Sequence, residues 1–133
     1  IYSPIMQRDL YRLSRENIGD EGLSGQNHRK FSLSEMVRGW FIGDFDPSVI
    51  RTSDFEIAVQ NFSAGEKETK HVHKIATEVT VVVSGECKMN NVEYSSGDIV
   101  LISPGSPNQF SAITDVVTVV VKIPSVTGDK HLL

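Results

Sequence analysis

Residues 65–85 read GEKETKHVHKIATEVTVVVSG, in which a His-x-His pair and a glutamate precede a run of valines. Alternate side chains of an extended strand leave the same face, so His71 and His73 point to one side of the chain. Glu78 opens the next strand, and antiparallel pairing returns its carboxylate to the two imidazoles. Two imidazoles and one carboxylate form a metal site with open coordination positions. The stretch therefore predicts a divalent-metal site, the alternative being a histidine pair that is only solvated or hydrogen-bonded.

The composition is that of one globular domain, with 133 residues, of which 39% are hydrophobic and 23% are charged. The net charge of −4, without a basic cluster, argues against a nucleic-acid surface. An apolar run long enough to span a membrane is missing. The single cysteine, Cys87, excludes an internal disulfide and is interpreted as a small buried hydrophobic residue. Since no secretory signal is visible, a cytoplasmic location is expected.

The second half of the chain has the pattern of a β-protein. Valines concentrate after residue 54, and valine favours the pleated surface of a sheet. Turn residues separate short segments, and Asn90-Asn91 suits a two-residue hairpin because asparagine tolerates positive φ. Short strands at such spacing predict an all-β sandwich or barrel. The predicted strands cover 55–62, 70–74, 78–84, 86–89, 92–95, 98–102, 109–113 and 116–123.

The N-terminal residues 1–37 differ from the rest and are predicted to form an arm that is partly irregular or helical. Three apolar residues recur at the spacing of one helical face: Met6, Leu10 and Leu13. Further on, Ser32 and Glu35 have the spacing of a capping box, which starts a helical turn. The alternative for this second segment is an irregular entry into a strand at 40–42.

After this arm, we expect a β-barrel at 38–123 and a short C-terminal tail at 124–133. The runs 79–83 and 116–121 are apolar at both alternating positions, so each of these strands has two apolar faces. One face packs inside the barrel, and the other is expected to pack against a second sheet or another subunit. Because cyclic dimers are the commonest symmetric assembly, a homodimer is predicted.

The stretch from Gly65 to Gly85 resembles the first sequence signature of the cupin superfamily, with two glycines, two histidines and a glutamate at the family's spacing. A second, weaker signature follows as Gly97-Asp98-x4-Ser103-Pro104-Gly105-x2-Asn108. It departs from the family's pattern at two positions. Ser103 stands where a proline usually stands, and Asn108 stands where the family's third metal-binding histidine usually stands.

This resemblance implies a cupin-type double-stranded β-helix, or jelly-roll barrel, which is often dimeric and holds a metal inside. Carried over position by position, the implied ligands are His71, His73 and Glu78. Asn108 is implied as a fourth ligand that is weak or absent, because an amide oxygen binds borderline metals less well than imidazole does. The implied cofactor is a divalent transition metal, namely Fe, Mn, Ni or Zn.

The resemblance also implies a small-molecule ligand, and three classes of function follow from it. The first is a metal-dependent enzyme of the dioxygenase or isomerase type. The second is a metal-free enzyme similar to sugar-nucleotide isomerases and epimerases, in which a His-x-His pair works as acid and base. The third is a barrel that binds a small molecule without catalysis. Because one fold hosts many reactions, the substrate and the catalytic residues stay open.

Overall fold

In this computed structural model, which describes residues 27–133, the chain forms eleven β-strands and one 3-10 turn at Leu33–Glu35. The helical spacing predicted from Met6 to Leu13 lies outside the described residues. The strands are β1 Trp40–Gly43, β2 Ile50–Arg51, β3 Glu56–Phe62, β4 His71–His73, β5 Thr77–Ser84, β6 Glu86–Met89, β7 Val92–Ser95, β8 Ile99–Ile102, β9 Phe110–Ala112, β10 Val116–Ile123 and β11 Lys130–Leu132.

The strands form two layers. One layer is a six-stranded sheet in the order β2-β1-β3-β10-β5-β8. The other contains the sheets β7-β6-β9 and β11-β4, which are linked by backbone pairing of Lys67 with Ser111 and of His71 with Asn108. Residues of both layers build the core, which consists of Val82, Cys87, Met89, Val100, Phe110, Ala112 and Val116. The predicted all-β jelly-roll architecture is confirmed, and Cys87 packs in its core as predicted.

Strands β5 and β10 lie side by side in the six-stranded sheet and place a row of polar groups on its inner face. Burial alternates along β5, and its buried residues are Glu78, Thr80 and Val82. In the register between the two strands, Lys122 of β10 lies opposite Glu78. Directly opposed residues share a face, so Lys122 is on the inner face too. The inner face of the six-stranded sheet, which contributes to the core, therefore also carries the charged side chains of Glu78 and Lys122 near the start of β5.

Two local features predicted from the sequence are confirmed. Asn90 and Asn91 have φ angles of 52° and 68° and connect β6 to β7 in a two-residue hairpin. Ser32 precedes the 3-10 turn, and its backbone N–H donates to Glu35 Oε2 at 3.3 Å in a capping box. The chain enters β1 shortly after this turn. The helical turn and the strand at 40–42, which were alternatives for this segment, therefore both occur, one after the other.

The structure adds two strands to those expected, β2 and β11. Strand β11 lies within 124–133, the segment expected to be a tail, and pairs with β4 such that Lys130 faces His73 and Leu132 faces His71. These additional strands contain two and three residues, too few for an alternating pattern to appear. The C-terminal residues are therefore part of the layer that carries the histidines.

Candidate metal centre

The structure brings His71, His73 and Glu78 together on the inner face of the barrel. The antiparallel pairing expected between their two strands is wrong, because β4 pairs with β11 in one layer and β5 lies in the six-stranded sheet of the other, so the cluster forms across the two layers. One potential ligand atom of each lies within 4.8 Å of the others, and all three side chains are buried. The two imidazole rings stand nearly perpendicular, at 79°, with their centroids 4.9 Å apart. His73 Nδ1 lies 3.9 Å from Glu78 Oε1. The arrangement brings two nitrogen donors and one carboxylate to one point.

Local hydrogen bonds orient these side chains. His71 Nδ1 lies 3.0 Å from the carbonyl oxygen of Thr69. Because a carbonyl oxygen only accepts, His71 Nδ1 donates this hydrogen bond, which directs Nε2 to the other side of the ring as the atom available to a metal. Thr80 Oγ1 donates to Glu78 Oε2 at 3.2 Å. These contacts are the kind of support that surrounds a metal site.

His73 Nε2 supplies the test of whether a metal fits. This atom is buried and has no hydrogen-bond partner among residues 27–133. Buried polar atoms are nearly always paired, so an unpaired imidazole nitrogen beside a second histidine and a carboxylate calls for a partner that residues 27–133 do not provide. A borderline divalent cation satisfies all three groups at once. The donor set therefore fits a transition metal.

The electrostatic environment keeps His73 neutral. Burial is the main reason that the pKa of His73 falls from 6.5 to about 4, and the nearby Lys122 and His71 lower it further. Burial also raises the pKa of Glu78, and the positive charge of Lys122 opposes this shift. At neutral pH His73 thus presents the unprotonated form that binds metals.

The lowered pKa of His73 predicts an acid-dependent loss of stability in the metal-free protein. As the pH falls from about 6.5 to about 4, the unfolded chain takes up a proton on this imidazole before the folded chain does, so the free energy of unfolding decreases. The H73N variant lacks this titration. Urea unfolding with a chelator at pH 7 and pH 5 should therefore show the wild type losing more stability than the variant. Equal losses in both proteins would contradict the prediction.

Asn108 faces the same cavity as the two histidines. Its backbone exchanges both hydrogen bonds with His71, at 3.0 and 2.8 Å. Residues paired in this way direct their side chains to the same face, and Asn108 is buried and lines the cavity. The position that the sequence motif assigns next to the metal is therefore near the cluster, and ligation by the amide stays a prediction.

The turn between β4 and β5 sets the distance from the histidines to Glu78, and Asp129 holds this turn. The buried carboxylate of Asp129 accepts hydrogen bonds from the backbone N–H groups of Lys74, Ile75 and Ala76 at 2.9–3.2 Å. Burial alone would raise the pKa of Asp129, but these hydrogen bonds outweigh it and lower the pKa. A residue from the expected tail thus positions the candidate ligands.

Replacing Asp129 by alanine is expected to destabilise the protein by about 3 kcal/mol, because three backbone N–H groups, one buried and two partly buried, lose a charged acceptor. The stabilisation is present above the ordinary carboxyl pKa of about 3.9 and is lost as the pH falls through the lower folded-state value. Chemical unfolding at neutral pH measures the change. The exposed Asp54 provides a matched control, D54A, and an equal effect of both variants would refute the role of Asp129.

The cavity around the cluster has a volume of about 1100 Å³ and contains residues that sequence reasoning missed. Glu56, Lys122 and Trp40 line it together with the histidines and Glu78. Lys122 carried a sequence signal, because it is the only charged residue in the run 116–123. His131, by contrast, lies opposite Val72 in β11, on the other face from the cluster.

Comparison with known proteins finds similar folds. No family model matches the chain, and no curated protein does either. An uncharacterised protein with a double-stranded β-helix domain from Klebsiella pneumoniae subsp. pneumoniae MGH 78578 is 24% identical over 80% of this chain and 92% of its own, with a TM-score of 0.60. A cupin protein from Bacteroides fragilis is 19% identical over 77% of this chain and 88% of its own, with a TM-score of 0.57. The DMSP lyase DddQ from Ruegeria pomeroyi DSS-3 is 18% identical over 77% and 55%, with a TM-score of 0.59.

At these identities the likeness shows the fold alone. Together with the two layers of strands, it establishes the cupin-type double-stranded β-helix that the sequence motifs imply. Among residues 27–133, no helix has the length and apolar character needed to cross a membrane.

Proposed function

We propose that this protein binds a divalent transition metal inside the barrel and acts on a small molecule beside it. His71, His73 and Glu78 hold the metal in this proposal. The observation that carries it is the buried, unpartnered Nε2 of His73 within a cluster whose ligand atoms lie within 4.8 Å of one another. A bound metal of this kind polarises carbonyl groups or lowers the pKa of water.

The surroundings of the cluster support a small-molecule function. A cavity of about 1100 Å³ is of the size that accommodates metabolites. His73 is neutral at physiological pH, so it is available as a ligand without losing a proton. The structural neighbours include a DMSP lyase, so a barrel of this fold can carry an enzyme.

Metal analysis tests the proposal directly. The protein is purified without a polyhistidine tag or added metal, and transition metals are measured per protein chain. We expect stoichiometric Fe, Mn, Ni or Zn, or uptake of one equivalent when these ions are offered to the metal-free protein. Failure to bind any of them would overturn the proposal, and retained binding of a sugar nucleotide would then favour the metal-free isomerase class.

The outer face of the six-stranded sheet supports a second proposal, self-association as a homodimer. Two rows of aliphatic residues cross this face in the register of β8, β5, β10 and β3: Leu101–Val79–Val121–Ile57 and Ile99–Val81–Val119–Val59. At one edge, Ile99 and Leu101 are 68% and 67% exposed. A contiguous apolar face of this kind marks an interaction surface, and a second copy offers the same face in return.

Replacing Leu101 by glutamate is expected to convert the dimer into a monomer, because a twofold interface brings each new charge against the apolar rows of the partner. Light scattering coupled to size exclusion at micromolar concentration measures the mass. V92E is the matched control, since Val92 is 53% exposed in β7 of the other layer. A monomeric wild type, or a dimeric L101E variant, would contradict the proposal.

A further inference from the structure

Lys122 occupies an unusual place in the barrel for a cation. In the register of the six-stranded sheet it lies between Glu78 of β5 and Glu56 of β3. All three residues line the cavity that contains the histidines. The inner face thus carries a row of three charged residues, with the only cation at its centre.

Neither glutamate forms an ion pair with Lys122. Among residues 27–133, no carboxylate oxygen lies within 4.0 Å of Lys122 Nζ, and each neighbouring carboxylate is hydrogen-bonded to a hydroxyl group instead. Ser125 Oγ donates to Glu56 Oε1 at 3.1 Å, and Thr80 Oγ1 donates to Glu78 Oε2 at 3.2 Å. The carboxylates of Glu56 and Glu78 therefore attract the ammonium group of Lys122 from both sides, but neither of them contacts it directly.

Trp40 holds the ammonium group in the cavity. Lys122 Nζ lies 4.8 Å from the centroid of the indole ring, which is the geometry of a cation–π contact. Burial lowers the pKa of Lys122, and the nearby glutamates oppose this shift. A partly desolvated cation that is held over an aromatic ring and lacks an acceptor can bind an anion strongly.

Other charged groups at the cavity are already paired or exposed. Asp44 lies 3.4 Å from Arg51, and Glu68 lies 3.7 Å from Lys130. Lys67 lines the cavity but is exposed to solvent. The carboxylate of Glu78 would bind a metal at the cluster, so Glu56 would be the one remaining carboxylate beside Lys122 in this row. The position of Lys122 therefore favours an anion that enters the cavity beside the cluster.

We propose that Lys122 binds the carboxylate of the substrate, and that the substrate is a small carboxylic acid with a second oxygen next to the carboxylate. This inference rests on the proposed metal-dependent function. Opposed side chains on neighbouring strands have Cβ atoms only about 5 Å apart, so a molecule the size of a 2-oxo or 2-hydroxy acid reaches from Lys122 to the cluster. Lys122 provides the charge, and the cluster faces the second oxygen.

Calorimetric titration with pyruvate and with its uncharged amide, pyruvamide, tests the proposal. The proteins are the wild type, K122M and the matched control K88M, each loaded with Ni²⁺ and each also free of metal; Lys88 lies outside the cavity, between the inward-facing Cys87 and Met89 of β6. We expect the loaded wild type and K88M to bind pyruvate at least about tenfold more tightly than pyruvamide. In K122M this preference should disappear, while the affinity for pyruvamide stays the same.

The outcomes separate the inference from the proposed function. If the wild type binds none of Fe, Mn, Ni and Zn, the proposed function fails, and the metal-free titrations still test Lys122. If neither form of the wild type prefers pyruvate, or if K122M keeps the preference, Lys122 is not the carboxylate site. A loss of affinity for both ligands in K122M would indicate a structural role and would also overturn the inference. Thermal unfolding verifies that K122M folds, and K122Q replaces it if it does not.

Discussion

Replacing His73 by alanine is expected to weaken Ni²⁺ or Zn²⁺ binding at least about 100-fold while the barrel stays folded. Removing a group that only supports a metal ligand costs about 10–100-fold in affinity, so the loss of a ligand should cost more. H71A and E78A are expected to have effects of similar size, because each provides one of the three converging donor atoms. The fold should survive, since the core lies in other residues.

The experiment compares metal affinity by competition with a chromophoric chelator, and secondary structure by circular dichroism. H28A is the matched control, because His28 is an exposed histidine that precedes the first strand and lies outside the cluster. Its affinity should equal that of the wild type. If the double variant H71A/H73A still binds the metal as tightly as the wild type, the assignment of the cluster is wrong.

The strands were predictable because their signals are local. Valines alternate with polar or second apolar residues along β5 and β10, and the glycine and asparagine turns mark where each strand ends. The short strands β2 and β11 gave no such signal. Strand β11 forms because backbone groups of β4 need partners on their open side, and the C-terminal segment lies close enough to provide them.

The cluster was predictable for the same reason, and its surroundings were not. His71 and His73 of β4 and Glu78 of β5 are separated by only one turn, so their closeness in the sequence brings them together, although the turn joins the two layers instead of pairing the strands. Lys122 and Asp129 are remote in the sequence. Lys122 enters the site through the register of β10 against β5, and a shift of one residue would direct it to the other face. The register of β10 depends on its pairing with both neighbouring strands, so the sequence around Lys122 alone does not predict it.

Replacing Asn108 by histidine is expected to tighten Ni²⁺ and Zn²⁺ binding by at least about tenfold, which corresponds to about 1.4 kcal/mol. The physical reason is the exchange of an amide, which binds these metals weakly, for an imidazole nitrogen, which they prefer. The position suits this exchange, because Asn108 pairs with His71 through two backbone hydrogen bonds and its side chain faces the cavity. The new histidine would also occupy a coordination position that water or a substrate otherwise uses.

The N108A variant separates ligation from packing. It should retain most of the metal affinity, since His71, His73 and Glu78 are unchanged and an amide contributes little. Titration of the wild type, N108A and N108H with each metal gives the order of affinities, for which we expect N108H to be the tightest and the other two to be similar. Equal affinity of the wild type and N108H would mean that residue 108 does not reach the metal. The resemblance of the second motif to a metal-binding signature would then have no functional meaning in this chain.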